Sequence, residues 1–366
     1  MAEKKPAAIL RKLREAGYEA WYVGGCVRDT LLGREVHDWD VTTSALPEQT
    51  MACFQKTVPT GIKHGTVTVL EDGTQAEVTT YRTDGDYRDG RHPEQVTFVR
   101  SLAEDLARRD FTVNAMAMDE EGNIVDLYGG QADLHHGILR CVGDPERRFR
   151  EDALRMLRAI RFSAQLGFTI ESKTREAMQK LGHLCESLSA ERIRDEMEKT
   201  ILSDRPSHIE QIAQLGLLPE YGLYDGADCQ WLSALPKDRT IRWAGLCRSY
   251  PHLDLMTLRL DKQTARDAMM AGRLDFPETT LGWKHLIAEQ GRERASITAA
   301  LAGKSDLIQE ILNSGHCLSL KELAVTGADF PALSGREVGN CLQKLLYHVL
   351  EHPEDNEKFF LKKLIK

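Results

Sequence analysis

Strand signals in this chain are confined to the part before about residue 140, and helical periodicity runs from there to the end. Strands followed by helices point to an α+β fold, with a mixed sheet and its helices in a head, then all-helical segments. Within the head, Ala7 to Ala16 reads as a helix, and Glu19 to Val23 as a strand feeding a Gly24-Gly25 turn. Thr66 to Glu71 and Gln75 to Tyr81 are β-rich runs split by Asp72-Gly73, a hairpin signal. Val113 to Met118 and Ile124 to Leu127 flank Glu120 to Asn123 as a further hairpin, and the polar, glycine-containing Asp84 to Pro93 reads as a mobile loop. Asp144-Pro145 then supplies a cap and a first-turn proline. Helices are expected over Glu146 to Leu166, Ser172 to Leu181, Ala190 to Ile201 and Ser207 to Leu215, with more beyond.

The 366 residues suffice for more than one domain. No run approaches the ~18 apolar residues of a membrane span. Met1 to Leu13 is lysine-rich with no apolar run after it, so no signal peptide is expected. The eight cysteines are scattered without a Cys-x-x-Cys pair, which fits a reducing cytoplasm and argues against a zinc site. A net charge of −8 does not itself predict a nucleic-acid ligand. Basic residues cluster locally, however, from Arg140 to Arg161 and again from Lys358 to Lys366.

The chemistry starts at Gly24-Gly25-Cys26-Val27-Arg28-Asp29, closely followed by His37-Asp38-Trp39-Asp40. A glycine turn exposes backbone N–H groups and lets a phosphate approach. Aspartates at i and i+2 on a strand share a face, the way a chain presents two carboxylates to a hard cation that also grips phosphates. Glu77 is expected on a strand beside them as a third carboxylate. An exposed turn is the bland alternative. A phosphatase with an aspartate nucleophile is the rival from another class, disfavoured because the residues before Asp38 are mostly polar where that pattern follows an apolar strand.

Arg108-Arg109-Asp110-Phe111-Thr112-Val113-Asn114 offers a guanidinium for phosphate and side chains suited to a sugar hydroxyl. A surface ion pair leading into a strand is the alternative. Glu151, Asp152, Arg155, Arg158 and Arg161 would share one helix, with Glu151 and Arg155 four apart and the arginines in a stripe. A solvated charged face is the usual reading of such a run. Against it stands a chemical argument. Cytosine and adenine each present an amino donor next to a ring-nitrogen acceptor, whereas uracil and guanine present a carbonyl next to an N–H. An Asp152/Arg155 edge pairs with the first two and meets the others like against like, at roughly 1–3 kcal/mol per unpaired buried group.

In their order and spacing these four motifs resemble the class II tRNA nucleotidyltransferases, the family of the bacterial CCA-adding enzymes in the polymerase β-like superfamily. The resemblance is dense over residues 20–200. It implies a nucleotidyltransferase head over residues 1–140, a helical neck over 141–206 that recognises the base, a helical body over 207–315 and a tRNA-binding tail over 316–366. It implies that Asp38 and Asp40 bind Mg²⁺ with Glu77 completing the set, and that Gly25 and Arg28 contact the triphosphate. Arg109, Asp110 and Asn114 would hold the ribose region, Asp152 and Arg155 would read the base, Glu151 would orient Arg155, and Arg158 and Arg161 would bind the nucleotide. Ser189-Ala190-Glu191-Arg192-Ile193 matches a further motif that supports the neck helices. The implied reaction is untemplated addition of C, C and A to a tRNA 3′ end from CTP and ATP in the cytoplasm, with a homodimer allowed. The loop at Asp84 to Pro93 favours an enzyme that adds A as well as C. An A-adding enzyme shares that loop. A bacterial poly(A) polymerase is less favoured, since its apolar-apolar-Gly-basic-basic-Phe run is not evident.

Overall fold

The computed structural model describes residues 5–84 and 96–365. The segment expected to be a mobile loop lies outside them, apart from Asp84, where a short strand ends. Two units emerge: residues 1–200 with 211–220, and residues 201–210 with 221–366.

The first unit is built on a mixed sheet. Its strands are β1 (Ala20–Val23), β2 (Asp40–Thr43), β3 (Thr57–Gly61), β4 (Thr66–Glu71) and β5 (Thr74–Thr80). A short side pair follows, β6 (Arg82–Asp84) with β7 (Val96–Phe98), and then β8 (Met116–Met118) and β9 (Ile124–Asp126). The main sheet runs β3-β4-β5-β2-β1-β8-β9. Only the β2–β5 contact in it is parallel, and it sets Asp40 opposite Glu77.

Local chemistry explains these choices. Asp72 and Gly73 both take positive φ, 48° and 71°, the geometry of the tight turn whose twist matches a β-hairpin. Along β5, Ala76, Val78 and Thr80 are buried while Gln75 and Glu77 are exposed, a period of two that leaves the Glu77 side chain at the surface. The second hairpin forms as expected, but Val113 belongs to a 3₁₀ turn over Thr112–Asn114 and the strand starts only at Met116.

Helices cover the sheet and continue past it: α1 (Ala7–Glu15), α2 (Gly25–Leu31), α3 (Pro47–Cys53), α4 (Leu102–Ala107), α5 (Gly130–His136), α6 (Pro145–Glu151), α7 (Leu154–Leu166), α8 (Ser172–Leu181) and α9 (Ala190–Ile201). Amphipathic α1 buries Ile9, Leu10 and Leu13. Asp144 caps α6, accepting from the Glu146 N–H at 3.0 Å, with Pro145 at the first turn.

Two expectations about local structure are corrected. The glycine pair is more than a turn: Gly24, at φ 75° and ψ −134°, opens α2, and Gly25 is already helical. The single helix over Glu146 to Leu166 is two helices, because Asp152 is extended at φ −149° and ψ 107° and its Oδ1 accepts from the Leu154 N–H at 3.0 Å. Aspartate competes in this way with helical backbone bonds, and here it ends one helix and starts the next.

The first unit also holds nearly all of α10 (Glu210–Gln214), and the second unit is helical, with α11 (Arg239–Ser249), α12 (Lys262–Arg273), α13 (Thr280–Gln290), α14 (Arg292–Leu301), α15 (Ser305–Asn313), α16 (Arg336–Glu351) and α17 (Lys358–Lys363). Asp238, Asp261 and Thr279 cap α11, α12 and α13 through their side chains. Trp283, Ile287, Ile308, Leu345, Leu346 and Val349 share one apolar cluster. No helix among the described residues is long and apolar enough to cross a membrane.

Candidate active site

The first unit contains a cavity of about 710 Å³ at the edge of the sheet where β2 begins. Its lining gathers Gly24, Gly25, Arg28, Asp38, Asp40, Arg109, Asp110, Asn114, Asp152, Arg155, Arg158 and Arg161. Four motifs, the first and last more than a hundred residues apart in sequence, thus meet in one place. Two expected residues stand just outside the lining. Glu77 pairs with Asp40 across β5, and Glu151 touches Arg155 from behind.

Asp40 opens β2 and is half-buried, whereas Asp38 is exposed and precedes the strand. The two therefore do not sit on one strand as expected, although they reach the same cavity. The stretch 34–39 holds no strand, which removes the apolar strand that an aspartate-nucleophile phosphatase would place before Asp38. The Asp40 carboxyl is raised to about 6: burial is the main cause, the Arg109 guanidinium opposes it, and the carboxylates of Glu77 and Asp38 add to the rise. Three carboxylates thus repel one another here. Among the described residues, no three acidic, histidine or cysteine side chains converge closely enough to cage a metal unaided.

Gly24 explains why glycine stands at the mouth of α2. A Cβ there would lie 3.0 Å from Arg109 Nη1 and 3.7 Å from Asp40 Oδ2, and the positive φ suits only glycine. Arg28, buried on the next turn, is fixed by Asp29 at 2.9 and 2.8 Å and donates from Nη1 to Asn114 Oδ1 at 2.7 Å. Asn114 donates in turn to Asp110 Oδ1 at 3.0 Å, and Arg158 grips Asp110 Oδ2 through Nε and Nη2 at 2.9 and 2.6 Å. A continuous hydrogen-bonded chain therefore ties α2 to α7. Burial alone would raise the Asp110 carboxyl, but Arg158, Asn114 and the Phe111 N–H hold it well below the usual carboxylate range.

The stripe on α7 is not a solvated face. Arg155 and Arg161 are buried, and the guanidiniums of Arg28, Arg158 and Arg161 stand 5.2, 5.3 and 3.9 Å from the centre of the Phe162 ring. Arg161 is held by Glu196 at 2.5 Å and Gln165 at 2.9 Å. Despite the helix break, Glu151 Oε2 accepts from Arg155 Nη1 at 2.7 Å, and Arg155 Nη2 donates to the Arg108 carbonyl at 3.1 Å.

Among the residues at the site that escaped the sequence reading, three matter most. Arg192, on α9, donates to Asp152 Oδ2 at 2.8 Å, so the motif at 189–193 reaches the cavity itself. Phe162 forms the apolar floor for three cations, a role its place in an amphipathic helix does not advertise. Asp105 lies beneath the arginine pair, where its spacing of three and four residues from Arg108 and Arg109 was the available signal.

The chain is similar to known proteins in sequence and in fold. A family model described as the poly A polymerase head domain matches residues 20–140. A second, described as a probable RNA and SrmB-binding site of polymerase A, matches residues 167–221. The CCA-adding enzyme of Ligilactobacillus salivarius is 55% identical over 203 residues, a match that spans 56% of this chain and half of that relative's length. The CCA-adding enzyme of Geobacillus kaustophilus is 41% identical over 362 residues, covering 92% of this chain and 89% of the relative. The crystal structure of the Bacillus stearothermophilus CCA-adding enzyme in complex with CTP superposes with a TM-score of 0.82 at 35% identity, over 99% of this chain and 98% of that one.

Proposed function

Given that this chain belongs to the CCA-adding enzyme family of nucleotidyltransferases, we propose that the cavity binds CTP and ATP in turn and adds C, C and A, untemplated, to a tRNA 3′ end. The tRNA 3′-hydroxyl attacks the α-phosphate, a new P–O bond forms, and pyrophosphate leaves. The observation that carries the reading is the convergence of Asp152 and Arg155 with Asp38 and Asp40 on one cavity.

The carboxylates fit a divalent ion. Asp40 is raised by burial and by two like charges, a strain that a cation relieves, and family membership implies such a metal. Magnesium suits a site of one or two carboxylates completed by substrate phosphates, so Asp38 and Asp40 would hold it with Glu77 adding negative field. When bound, the ion lowers the pKa of the attacking hydroxyl and neutralises charge on the phosphates.

The chain's own groups do the rest. Gly25 leaves room and backbone N–H groups for the triphosphate, and Arg28, already braced by Asp29 and Asn114, supplies a fixed cation. Arg158 and Arg161 add charge on the same side. Arg109, Asp110 and Asn114 hold the ribose region. Asp152 accepts from the exocyclic amine of C or A while Arg155 donates to the ring nitrogen, and Glu151 fixes the guanidinium. The boundaries 1–140, 141–206, 207–315 and 316–366 give head, neck, body and tail, and the tail holds the tRNA by shape and backbone. Eight free cysteines, seven of them buried, suit a cytoplasmic setting.

The test is extension of a tRNA that lacks its last three nucleotides. With Mg²⁺ and CTP alone the reaction is expected to stop after two residues, and with both nucleotides after a third. Addition of A only to tRNA already ending in CC would instead make it an A-adding enzyme. A long A tail on generic RNA would make it a poly(A) polymerase.

A further inference from the structure

Asp105, on α4, is fully buried, and it binds two arginines and two strands at once. Its Oδ1 accepts from Arg108 Nε and Nη2 at 3.0 and 2.9 Å and from the Arg82 N–H at 3.4 Å. Its Oδ2 accepts from Arg109 Nη2 at 3.2 Å and from the Thr42 hydroxyl at 3.2 Å, a hydroxyl shared with the Thr79 carbonyl. Thr42 is two residues past Asp40 on β2 and so lies on the same face of that strand. Arg109 therefore stands between a buried carboxylate below and the glycine turn, where its Nη1 comes within 3.0 Å of the place a Gly24 Cβ would take.

We propose that Asp105 is a positioning residue for nucleotide binding: it aims Arg109 into the cavity and fastens the arginine pair to the strand that carries Asp40. A buried carboxylate with no role would be costly to keep charged. Burial does push this one up, but Arg108 and Arg109 hold it below the ordinary carboxylate value, so it is a fixed anion under the site. Arg109 Nε is buried with no hydrogen-bond partner among the described residues, and the fork is held to Asp105 Oδ2 through Nη2 at 3.2 Å.

The inference rests on the nucleotide reading of the cavity, and a double-mutant cycle separates the two. Asp105→Asn keeps the size and one acceptor oxygen, for the Arg82 N–H, while its amide N–H can donate to the Thr42 hydroxyl, but it loses the charge that grips the arginines. Lost charge-assisted bonds predict a rise in KM for both CTP and ATP of about tenfold. In an Arg109→Gln background the same substitution is expected to raise KM no further, because the side chain it acts through is gone. If Arg109→Gln alone leaves both KM values unchanged, the nucleotide reading of Arg109 fails. If Arg109→Gln weakens binding but Asp105→Asn lowers only Tm, or adds its full effect in the double variant, Asp105 is a scaffold residue and the proposal is overturned. Should Asp105→Asn not fold, Asp105→Glu retains the charge and shifts the fork by one bond. It is expected to raise KM less, and again to have no effect beside Arg109→Gln; an additive effect there overturns the proposal equally.

Discussion

A carboxylate can select a base only if its oxygens are held as acceptors in a fixed plane. Asp152 is held in this way: Oδ1 takes the Leu154 N–H and Oδ2 takes Arg192. Each oxygen keeps a second lone pair for a ligand. Its partner Arg155 is braced independently, by Glu151 and by the carbonyls of Arg148 and Arg108. Removing one member of the edge should therefore leave the other in place. Asp152→Ala is expected to lower kcat/KM for CTP and ATP while sparing UTP and GTP, cutting the discrimination ratio by about tenfold or more, the scale of one unpaired buried group. Single-nucleotide incorporation with each of the four triphosphates reads this directly. Discrimination that survived intact would mean the base is chosen elsewhere.

At the scale of elements, the site depends on helix ends and strand ends rather than on continuous elements. The residues that line the cavity were legible in sequence because groups suited to phosphate, metal or base are of few types, and the hairpin at Asp72-Gly73 was legible because two positive φ values demand it. The break between α6 and α7 was not. Glu146 to Leu166 has an unbroken helical pattern, and only the bonds of Asp152, a local one to the Leu154 N–H and a tertiary one to Arg192, reveal the interruption. Asp38 was misplaced for a similar reason: spacing of two suggests a strand, but pairing with β5 begins only at Asp40. What joins the elements is buried charge, and this gives a pH signature. Asp110 lies below its unfolded value despite burial, because Arg158 and Asn114 favour the anion. A depressed carboxylate contributes stability above its unfolded pKa of about 3.9, and loses it as pH falls below that value toward the folded pKa. Asp110→Asn is thus expected to be less stable than the parent at pH 7, with the gap narrowing below about pH 4. Urea midpoints across pH 3 to 7 check it, and a gap independent of pH would show that Arg158 does not stabilise the charged form.

For the whole molecule, net charge hides where the ligand goes. The chain carries −8, yet the cavity lining holds eight arginines against four aspartates among the described residues. All of that lining belongs to the first unit. The second unit has its own basic feature in α17, where Lys358 and Lys362 meet Asp329 at 2.7 and 3.2 Å and Lys363 lies 4.1 Å from the centre of the Phe359 ring. Phe359 itself is 72% exposed. An exposed aromatic beside lysines is suited to a nucleic-acid backbone and to an unstacked base. If this tail serves the tRNA and the cavity serves the nucleotide, the two Michaelis constants should separate. Lys362→Ala with Lys363→Ala leaves Lys358 on Asp329 and so leaves the fold of the tail in place. The double variant is expected to raise KM for tRNA several-fold, and to flatten its dependence on salt by up to about 0.7–0.9 log units for each phosphate no longer neutralised. KM for CTP should not move, because neither lysine lines the cavity. Initial rates at 50 and 200 mM salt, with each substrate varied in turn, separate these outcomes. A tRNA KM unchanged at both salts would remove α17 from the tRNA surface. A parallel rise in KM for CTP would mean that the tail acts on the nucleotide site as well.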